Sequence, residues 1–436
     1  MKRYDEYKPT GIEWIGKIPQ HWETKRLRFV CEFRNGYTPS KQNADFWTDG
    51  TIPWYRMEDI RDTGRFLKEA KQYVTEEAVK GAGMFDAGSF ILATTATIGE
   101  HAMLIVDSLA NQQFTNLKIR KSLVYKVCGK WFFYYLFLID DFCKTSTRTA
   151  TFPAMNMEDL RNCCVAIPPI EEQEAIVKYL DGKCGSIDAS IAKAKREIEL
   201  LREFKQSVIT EAVTRGINPN APLKDSGIEW IGKIPQHWEA KRLRFVCEFR
   251  NGYTPSKQNA DFWTDGTIPW YRMEDIRDTG RFLKEAKQYV TEEAVKGAGM
   301  FDAGSFILAT TATIGEHAML IVDSLANQQF TNLKIRKSLV YKVCGKWFFY
   351  YLFLIDDFCK TSTRTATFPA MNMEDLRNCC VAIPPIEEQE AIVKYLDGKC
   401  GSIDASIAKA KREIELLREF KQSVITEAVT GKIKVY

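Results

Sequence analysis

The apolar positions between residues 171 and 213 recur at alternating intervals of three and four residues. They fall at Ile176, Leu180, Cys184, Ile187, Ile191, Ala194, Ile198, Leu201, Lys205 and Val208, of which only Lys205 is charged. This spacing is typical of a helix that packs along another helix. Pro169 and a cluster of glutamates at the start suit a helix N-terminus. The pattern predicts a helix of roughly 60 Å, with Gly182 and Gly185 as the place for a kink.

The residues before Pro168 have a different texture, with short apolar runs separated by turn signals. Runs such as SFILAT, AMLIV and NLKI are typical of strands in a mixed α+β domain. The longest apolar run, WFFYYLFLI from Trp131, lies between Lys130 and Asp140 and is too short to span a membrane. We therefore expect a globular domain with a buried apolar element, followed by the long helix.

Nearly all of this pattern occurs twice in the chain. Residues 11–214 and 227–430 match at an offset of 216, and only Thr24 against Ala240 differs. A repeat of this length predicts two copies of a whole domain and not a solenoid. The joint RGINPNAPLKDS, residues 215–226, has the proline, asparagine and glycine content of a linker.

The duplication supplies each long helix with a partner of identical seam. We predict an α+β fold in which two globular mixed α/β domains are separated by two long antiparallel, coiled-coil helices with pseudo-two-fold symmetry. The alternative is that each helix folds back on its own domain. The predicted boundaries are 1–170 and 227–386 for the globular domains, 171–214 and 387–430 for the spacer helices, 215–226 for the linker and 431–436 for the tail.

Composition narrows the function classes only slightly. No apolar run is long enough for a membrane helix, and the first residues lack the apolar core of a secretion signal, so we expect a cytoplasmic protein without a membrane partner. The net charge is +4, yet residues 11–214 hold 27 basic and 27 acidic side chains. Binding to nucleic acid would therefore need a local basic surface or another subunit.

The sequence contains no constellation that predicts catalysis. Each copy has six cysteines without a C-x-x-C pair and only two histidines, which predicts reduced thiols and no metal site. KGAGMFDAG lacks the spacing of a phosphate-binding loop. The only double proline, in AIPPIEEQ, lacks the polar first residue of a base-methylation loop.

Five loops are dense in hydroxyl, amide and basic groups: GYTPSKQN, WYRMEDIRD, ATTATIGE, NQQFTNLKIRK and KTSTRTATFPAMN. Such groups can bind base edges and phosphates, although polar loops are usually only solvated. For Thr94 the plainer interpretation is a strand end, and for Gln112 a partner of buried backbone. The candidate DNA contacts are Tyr37, Ser40, Lys41, Arg56, Thr94, Thr95, Thr97, Gln112, Gln113, Arg148, Thr149 and Thr151, with Tyr253, Ser256, Lys257, Arg272, Thr310, Thr311, Thr313, Gln328, Gln329, Arg364, Thr365 and Thr367 in the second copy.

The arrangement resembles the specificity subunit of type I restriction-modification systems. The resemblance covers nearly the whole chain and rests on GIEWIGKIPQHWE at the start of each copy, GYTPSK followed by GTIPWYRMEDI, ATTATIG with NQQF, IPPIEEQEAIVKYLD, and the helix ends LLREFKQSVITEAVTRGI and AVTGKIKVY. Members of that family generally carry two different recognition domains. The two near-identical domains here indicate either a recent duplication or a deliberate fusion of a half-length subunit.

The resemblance implies a non-catalytic subunit that recognises double-stranded DNA through two target-recognition domains. It implies two modification subunits that use S-adenosylmethionine, docked on the helices and on GIEWIGKIPQHW, and restriction subunits that use ATP and Mg²⁺; no cofactor is expected in this chain. Identical domains would favour a palindromic bipartite site. Two alternatives are a structural adaptor with twin protein-binding domains held by a coiled coil, and an enzyme with an unrecognised site.

Overall fold

The computed structural model describes residues 2–12, 14–81, 83–146, 154–228, 230–297, 299–362 and 370–435. The chain forms two compact units: unit 1 contains Met1–Lys195 and Arg412–Tyr436, and unit 2 contains Arg196–Lys411. Each unit therefore combines one globular domain with the first part of its own long helix and the last part of the other copy's helix.

Unit 1 is built around a five-stranded sheet in the order β4-β11-β8-β9-β6, beside a three-stranded sheet in the order β10-β5-β7 and the pairs β1-β2 and β12-β3. The strands are β1 Tyr7–Pro9, β2 Lys17–Pro19, β3 Glu23–Arg26, β4 Cys31–Asn35, β5 Ile52–Tyr55, β6 Phe66–Leu67, β7 Tyr73–Val74, β8 Phe90–Ala93, β9 His101–Leu104, β10 Leu109–Ala110, β11 Phe114–Ile119 and β12 Cys164–Ile167. The helices are α1 Leu27–Val30, α2 Met57–Thr63, α3 Gly129–Ser146, α4 Met157–Asn162 and α5 Ile170–Arg215.

Unit 2 repeats this arrangement, with a five-stranded sheet in the order β16-β23-β20-β21-β18. Its strands are β13 Leu223–Asp225, β14 Lys233–Pro235, β15 Glu239–Arg242, β16 Cys247–Asn251, β17 Ile268–Tyr271, β18 Phe282–Leu283, β19 Tyr289–Val290, β20 Phe306–Ala309, β21 His317–Leu320, β22 Leu325–Ala326, β23 Phe330–Ile335 and β24 Cys380–Ile383. Its helices are α6 Leu243–Val246, α7 Met273–Thr279, α8 Gly345–Ser362, α9 Met373–Asn378 and α10 Ile386–Val429.

The apolar run WFFYYLFLI forms the middle of α3, the main helix of the core. Trp131 and Tyr135 are fully buried, and the Tyr135 hydroxyl accepts a hydrogen bond from the Ala166 amide at 3.1 Å. Trp22 is also fully buried and donates its indole N–H to Glu172 Oε2 at 2.9 Å. Trp22 therefore fills the core of its own unit, as Trp238 does in unit 2, and neither indole is free to anchor a partner.

The two long helices run antiparallel within each unit, as the heptad pattern predicts. In unit 1 the Lys421 ammonium donates to Asp188 at 2.7 Å, and in unit 2 Lys205 donates to Asp404 at 2.6 Å. The direction is evident in unit 2, where Gly216 at the end of α5 lies against a side chain in the first turn of α10. Both helices are continuous through their glycines, so Gly182 and Gly185 do not break the helix.

The buried seam of α5 follows the predicted positions from Ile176 to Ile198 and then drifts. Val208 is only partly buried, whereas Ile209 is fully buried. The cause is geometric, because a helix with 3.6 residues per turn drifts by about 20° in each heptad relative to a 3.5-residue repeat. Val208 still packs against the core of unit 2, but the fully buried position has moved to Ile209.

The head and tail of the chain meet in unit 1. The Lys434 amide donates to Lys2 O at 2.9 Å, and the Tyr7 hydroxyl donates to Gly431 O at 3.1 Å. In unit 2 the linker occupies the corresponding place, since β13 pairs with β14 as β1 pairs with β2. In unit 1 the N-terminal and C-terminal segments thus occupy the place that the continuous linker occupies in unit 2.

Candidate nucleic-acid interface

Four of the five polar loops meet at one edge of the five-stranded sheet. β4 and β8 end at this edge and β11 begins there, because β11 is antiparallel to both, with Thr115 opposite Asn35 and Phe114 opposite Ala93. We call residues 36–41, 56, 94–99 and 111–113 the polar edge. Loops that are far apart in sequence thereby form one continuous surface.

Backbone hydrogen bonds hold these loops together. Gly36 N–H donates to Phe114 O at 2.8 Å, and Thr94 N–H donates to Gln113 O at 2.9 Å. Asn111 N–H donates to Tyr55 O at 3.0 Å, which places Arg56 at the same edge. Unit 2 has the equivalent bonds at the same lengths. The strand register and these backbone hydrogen bonds therefore hold the loops of the polar edge together.

Gly36 permits a close approach between two of the loops. A Cβ atom at this position would lie 2.1 Å from Asn111 O, and the same holds at Gly252 in unit 2. No side chain fits within that distance, so the contact between residues 36–41 and 111–113 requires glycine.

The predicted contact residues differ in their exposure on the polar edge. Ser40, Lys41 and Gln112 are exposed, whereas Tyr37, Arg56, Thr95, Thr97 and Gln113 are partly buried and Thr94 is buried. Their counterparts in unit 2 show the same exposure: Ser256, Lys257 and Gln328 are exposed, Tyr253, Arg272, Thr311, Thr313 and Gln329 are partly buried, and Thr310 is buried. The structure brings these side chains to one surface, and their contact with DNA stays a prediction.

Several of the predicted residues already have internal partners, among them three whose side chains are buried or partly buried. The Tyr37 hydroxyl donates to Ala78 O at 2.9 Å, and the Thr94 hydroxyl lies 3.2 Å from that of Thr115. The Arg56 guanidinium forms an ion pair with Glu58. These contacts support the loops from within. Exposed neighbours such as Gln112 and Lys41 are better placed to meet a ligand.

Six predicted residues lie outside the described part of the chain: Arg148, Thr149, Thr151, Arg364, Thr365 and Thr367. The described part of the chain resumes within this loop at Ala154, which forms an isolated antiparallel β-bridge with Thr95. The Met155 amide donates to Thr94 O at 2.8 Å. The chain therefore leaves the fifth polar loop at the polar edge.

Sequence reasoning missed three polar residues that support this edge. Thr38 donates its hydroxyl to Gln112 Oε1, and Asn111 Nδ2 donates to Gln113 Oε1 at 3.1 Å. The Asn35 side chain accepts a hydrogen bond from the Thr115 hydroxyl at 3.3 Å. Of the three, only Asn111 has a sequence signal. An asparagine in a turn commonly accepts a hydrogen bond from the backbone N–H two residues later.

Burial strengthens the preference of one group directly behind the edge for its neutral form. The Tyr55 side chain is buried, and its burial raises the pKa of its hydroxyl well above the usual value. Tyr55 therefore remains neutral at physiological pH, and the carbonyl of the same residue is the acceptor that holds Asn111. The support behind the polar edge is thus uncharged at this point.

Unit 1 also contains an open groove of about 810 Å³, lined by α3 side chains and by segments of both long helices. Two ion pairs form among its charged lining residues, Lys144 with Asp140 at 2.8 Å and Lys421 with Asp188 at 2.7 Å. Within the described ranges no group of His, Cys, Asp and Glu side chains could hold a metal ion. In the same part of the chain, no helix is long and apolar enough to cross a membrane.

Comparison with known proteins identifies the family. Residues 19–200 and 235–416 each match the model of the type I restriction modification DNA specificity domain. The chain is 39% identical over 162 residues to the type I restriction enzyme EcoprrI specificity subunit of Escherichia coli, an alignment that covers 36% of this chain and 40% of that protein. It is 23% identical over 445 residues to the MjaIX specificity subunit of Methanocaldococcus jannaschii, covering 99% of this chain and 97% of that protein.

A solved structure supports the fold over nearly the full length. A chain from a structural study of complex assembly and conformational transition in the type I R-M system matches with a TM-score of 0.66 at 18% identity, covering 95% of this chain and 99% of that chain. At this identity the likeness concerns the fold alone. With two matched domains that account for most of its residues, the chain belongs to the type I restriction modification DNA specificity family.

Proposed function

We propose that this chain is the non-catalytic subunit that gives a type I restriction-modification enzyme its DNA specificity, with one half-site recognised by each globular domain. The observation that carries the proposal is the match of the DNA specificity family to both copies. The polar edge supports it, because hydroxyl, amide and basic side chains that can bind base edges and phosphates share one surface in each unit.

In this proposal the recognised DNA site is a palindrome, and the two long helices set the length of the gap between its half-sites. The matched regions differ only at Thr24 on β3 and Ala240 on β15, and these strands pair with β12 and β24 outside the five-stranded sheets whose strand ends carry the polar edge, so both domains should select the same half-site. The first part of α5 packs with the last part of α10 in unit 1, and the first part of α10 packs with the last part of α5 in unit 2. In this proposal the two copies bind their half-sites in opposite orientations, and a two-fold relation on DNA corresponds to an inverted repeat.

The helices also offer surfaces for the partner subunits of such an enzyme. Leu200 and Phe204 on α5 are half-exposed, as are their counterparts Leu416 and Phe420 on α10. Exposed apolar side chains one helical turn apart suit a protein interface. In this proposal two modification subunits dock on the two equivalent surfaces and carry S-adenosylmethionine, while restriction subunits supply ATP- and Mg²⁺-dependent cleavage.

Mapping of methylated bases in cells that contain this chain and its modification subunit tests the proposal. The expected motif is one short sequence repeated in inverted orientation, with a gap of fixed length. Unrelated half-sites or a direct repeat would contradict the two-fold argument. Because phosphate contacts are salt-dependent, salt-dependent retention of the chain or its reconstituted complex on specific duplex DNA would support the proposal, and absence of such retention would instead favour a protein-binding adaptor.

A further inference from the structure

We propose that Asn111, and Asn327 in the second copy, determine which bases each polar edge selects, because they fix the orientation of the Gln113 and Gln329 side-chain amides. This inference rests on the proposed function in DNA recognition. It adds two residues that are positioning residues and need not touch DNA themselves.

The orientation of Asn111 follows from an unambiguous donor. The backbone N–H of Gln113 can only donate, and it lies 3.0 Å from Asn111 Oδ1. The oxygen of this amide is thereby identified, so its nitrogen is the atom on the other side. The same contact between the Gln329 N–H and Asn327 Oδ1 measures 3.1 Å.

Asn111 in turn fixes the amide of Gln113. Asn111 Nδ2 lies 3.1 Å from the Gln113 amide, and an N–H donor requires an oxygen there, which is Oε1. The Nε2 group of Gln113 makes no hydrogen bond with any described residue. Because Gln113 is partly exposed and its carbonyl is held by the Thr94 amide at 2.9 Å, a fixed donor remains for a ligand.

A fixed donor discriminates between bases that differ at a single group. In the major groove guanine presents an oxygen at position 6 where adenine presents an amino group, and thymine presents an oxygen at position 4 where cytosine presents an amino group. An Nε2 donor therefore favours guanine over adenine, or thymine over cytosine, at one base pair in each half-site.

Replacement of both asparagines by aspartate should reverse this preference. In Asn111→Asp with Asn327→Asp, one carboxylate oxygen still accepts from the backbone N–H, but the other can no longer donate. The Gln113 amide then turns over to donate to it and presents Oε1 to the base. Selection from randomised duplexes by the full chain in complex with its modification subunits should show a transition, G to A or T to C, at one base pair of each half-site, with a change in relative affinity on the order of tenfold.

Matched variants separate this effect from charge and folding. Asn156 makes the same turn contact, to Glu158 N–H at 2.9 Å, but the asparagine holds no glutamine. Asn156→Asp with Asn372→Asp should leave the motif unchanged. Asn111→Ser with Asn327→Ser keeps an acceptor for the turn and releases the amide, so the same base pair should become degenerate. Gln113→Ala with Gln329→Ala should remove the preference at that base pair. In this background, Asn111→Asp with Asn327→Asp should have no further effect on the selected motif.

The outcomes distinguish this inference from the function on which it rests. A wild-type chain that selects no bipartite motif overturns both. If the wild-type chain selects a motif and the paired aspartate variant selects the same one, only the role of Asn111 is overturned. General loss of preference at several positions, in place of a transition at one, also overturns it.

Discussion

His101 is a titratable residue whose charge state is decided by burial. Its imidazole is fully buried, and this burial, together with the nearby Arg65 guanidinium 3.1 Å from Nδ1, lowers the pKa of His101 well below its ordinary value. His317 has the same surroundings in unit 2. Both side chains are therefore neutral in the folded protein and become protonated only on unfolding in mild acid.

This asymmetry predicts a loss of stability between neutral and mildly acidic pH. Because the folded pKa lies below the unfolded value of about 6.5, the unfolded chain binds more protons below that pH. Between pH 6.5 and 5.5, each histidine should lower the free energy of unfolding by on the order of 1 kcal/mol. Urea unfolding at pH 7.5 and 5.5 should show a smaller difference for His101→Gln with His317→Gln than for the wild type. Equal differences would show that these histidines do not carry the pH dependence.

At the scale of single residues, the sequence predicted which kinds of side chain form the polar edge better than it predicted which residues those side chains contact. The turn signals and the density of amides and hydroxyls identified the loops that form the polar edge. They could not show that Thr94 is buried beside Thr115 or that Asn111 orients Gln113. Those contacts depend on the register of β11 against β4 and β8, and register is set by packing across the sheet and not by any local signal.

Among the elements, α5 and α10 show what a periodic pattern can specify. The buried seam from Ile176 to Ile198 follows directly from the three-and-four spacing. The shift from Val208 to Ile209 does not, because it reflects the accumulated difference between helical and heptad periods. A local propensity, glycine at 182 and 185, was outweighed by this packing, and the helix is continuous there.

These glycines predict a simple gain in stability. A Cβ atom at Gly182, Gly185, Gly398 or Gly401 would meet no atom within 4 Å, and alanine is favoured over glycine inside a helix by about 0.5–1 kcal/mol per site. The four alanine substitutions together should raise the thermal midpoint without altering DNA selection. As a contrasting control, Gly36→Ala should lower the midpoint, since its Cβ would overlap Asn111 O. A thermal midpoint that the four helix substitutions leave unchanged would contradict the expected stabilisation by alanine at these sites.

At the scale of the whole molecule, the two ends of the chain meet in unit 1 at the place that the linker occupies in unit 2. Lys2 and Lys434 are joined by a backbone hydrogen bond of 2.9 Å, and the linker residues 218–220 are exposed. A variant with its ends joined by a short glycine linker and opened after Asn220 should therefore fold with a thermal midpoint close to that of the wild type and select the same motif. Loss of either property would show that the linker of unit 2 has a role that the joined ends cannot take over.

The lengths of the helices predict the gap in the recognised site. If α5 and α10 set the distance between the two recognition domains, as proposed, removal of one heptad from each helix should shorten it by about 10 Å, or roughly three base pairs. Residues 192–198 and 408–414 are equivalent heptads, and their removal keeps the seam in phase. Methylation mapping should return the same half-sites with a shorter gap. Removal of only three residues from each helix rotates the seam out of phase, so that variant should lose specific binding. A heptad variant that keeps the original gap would show that the helices do not set it.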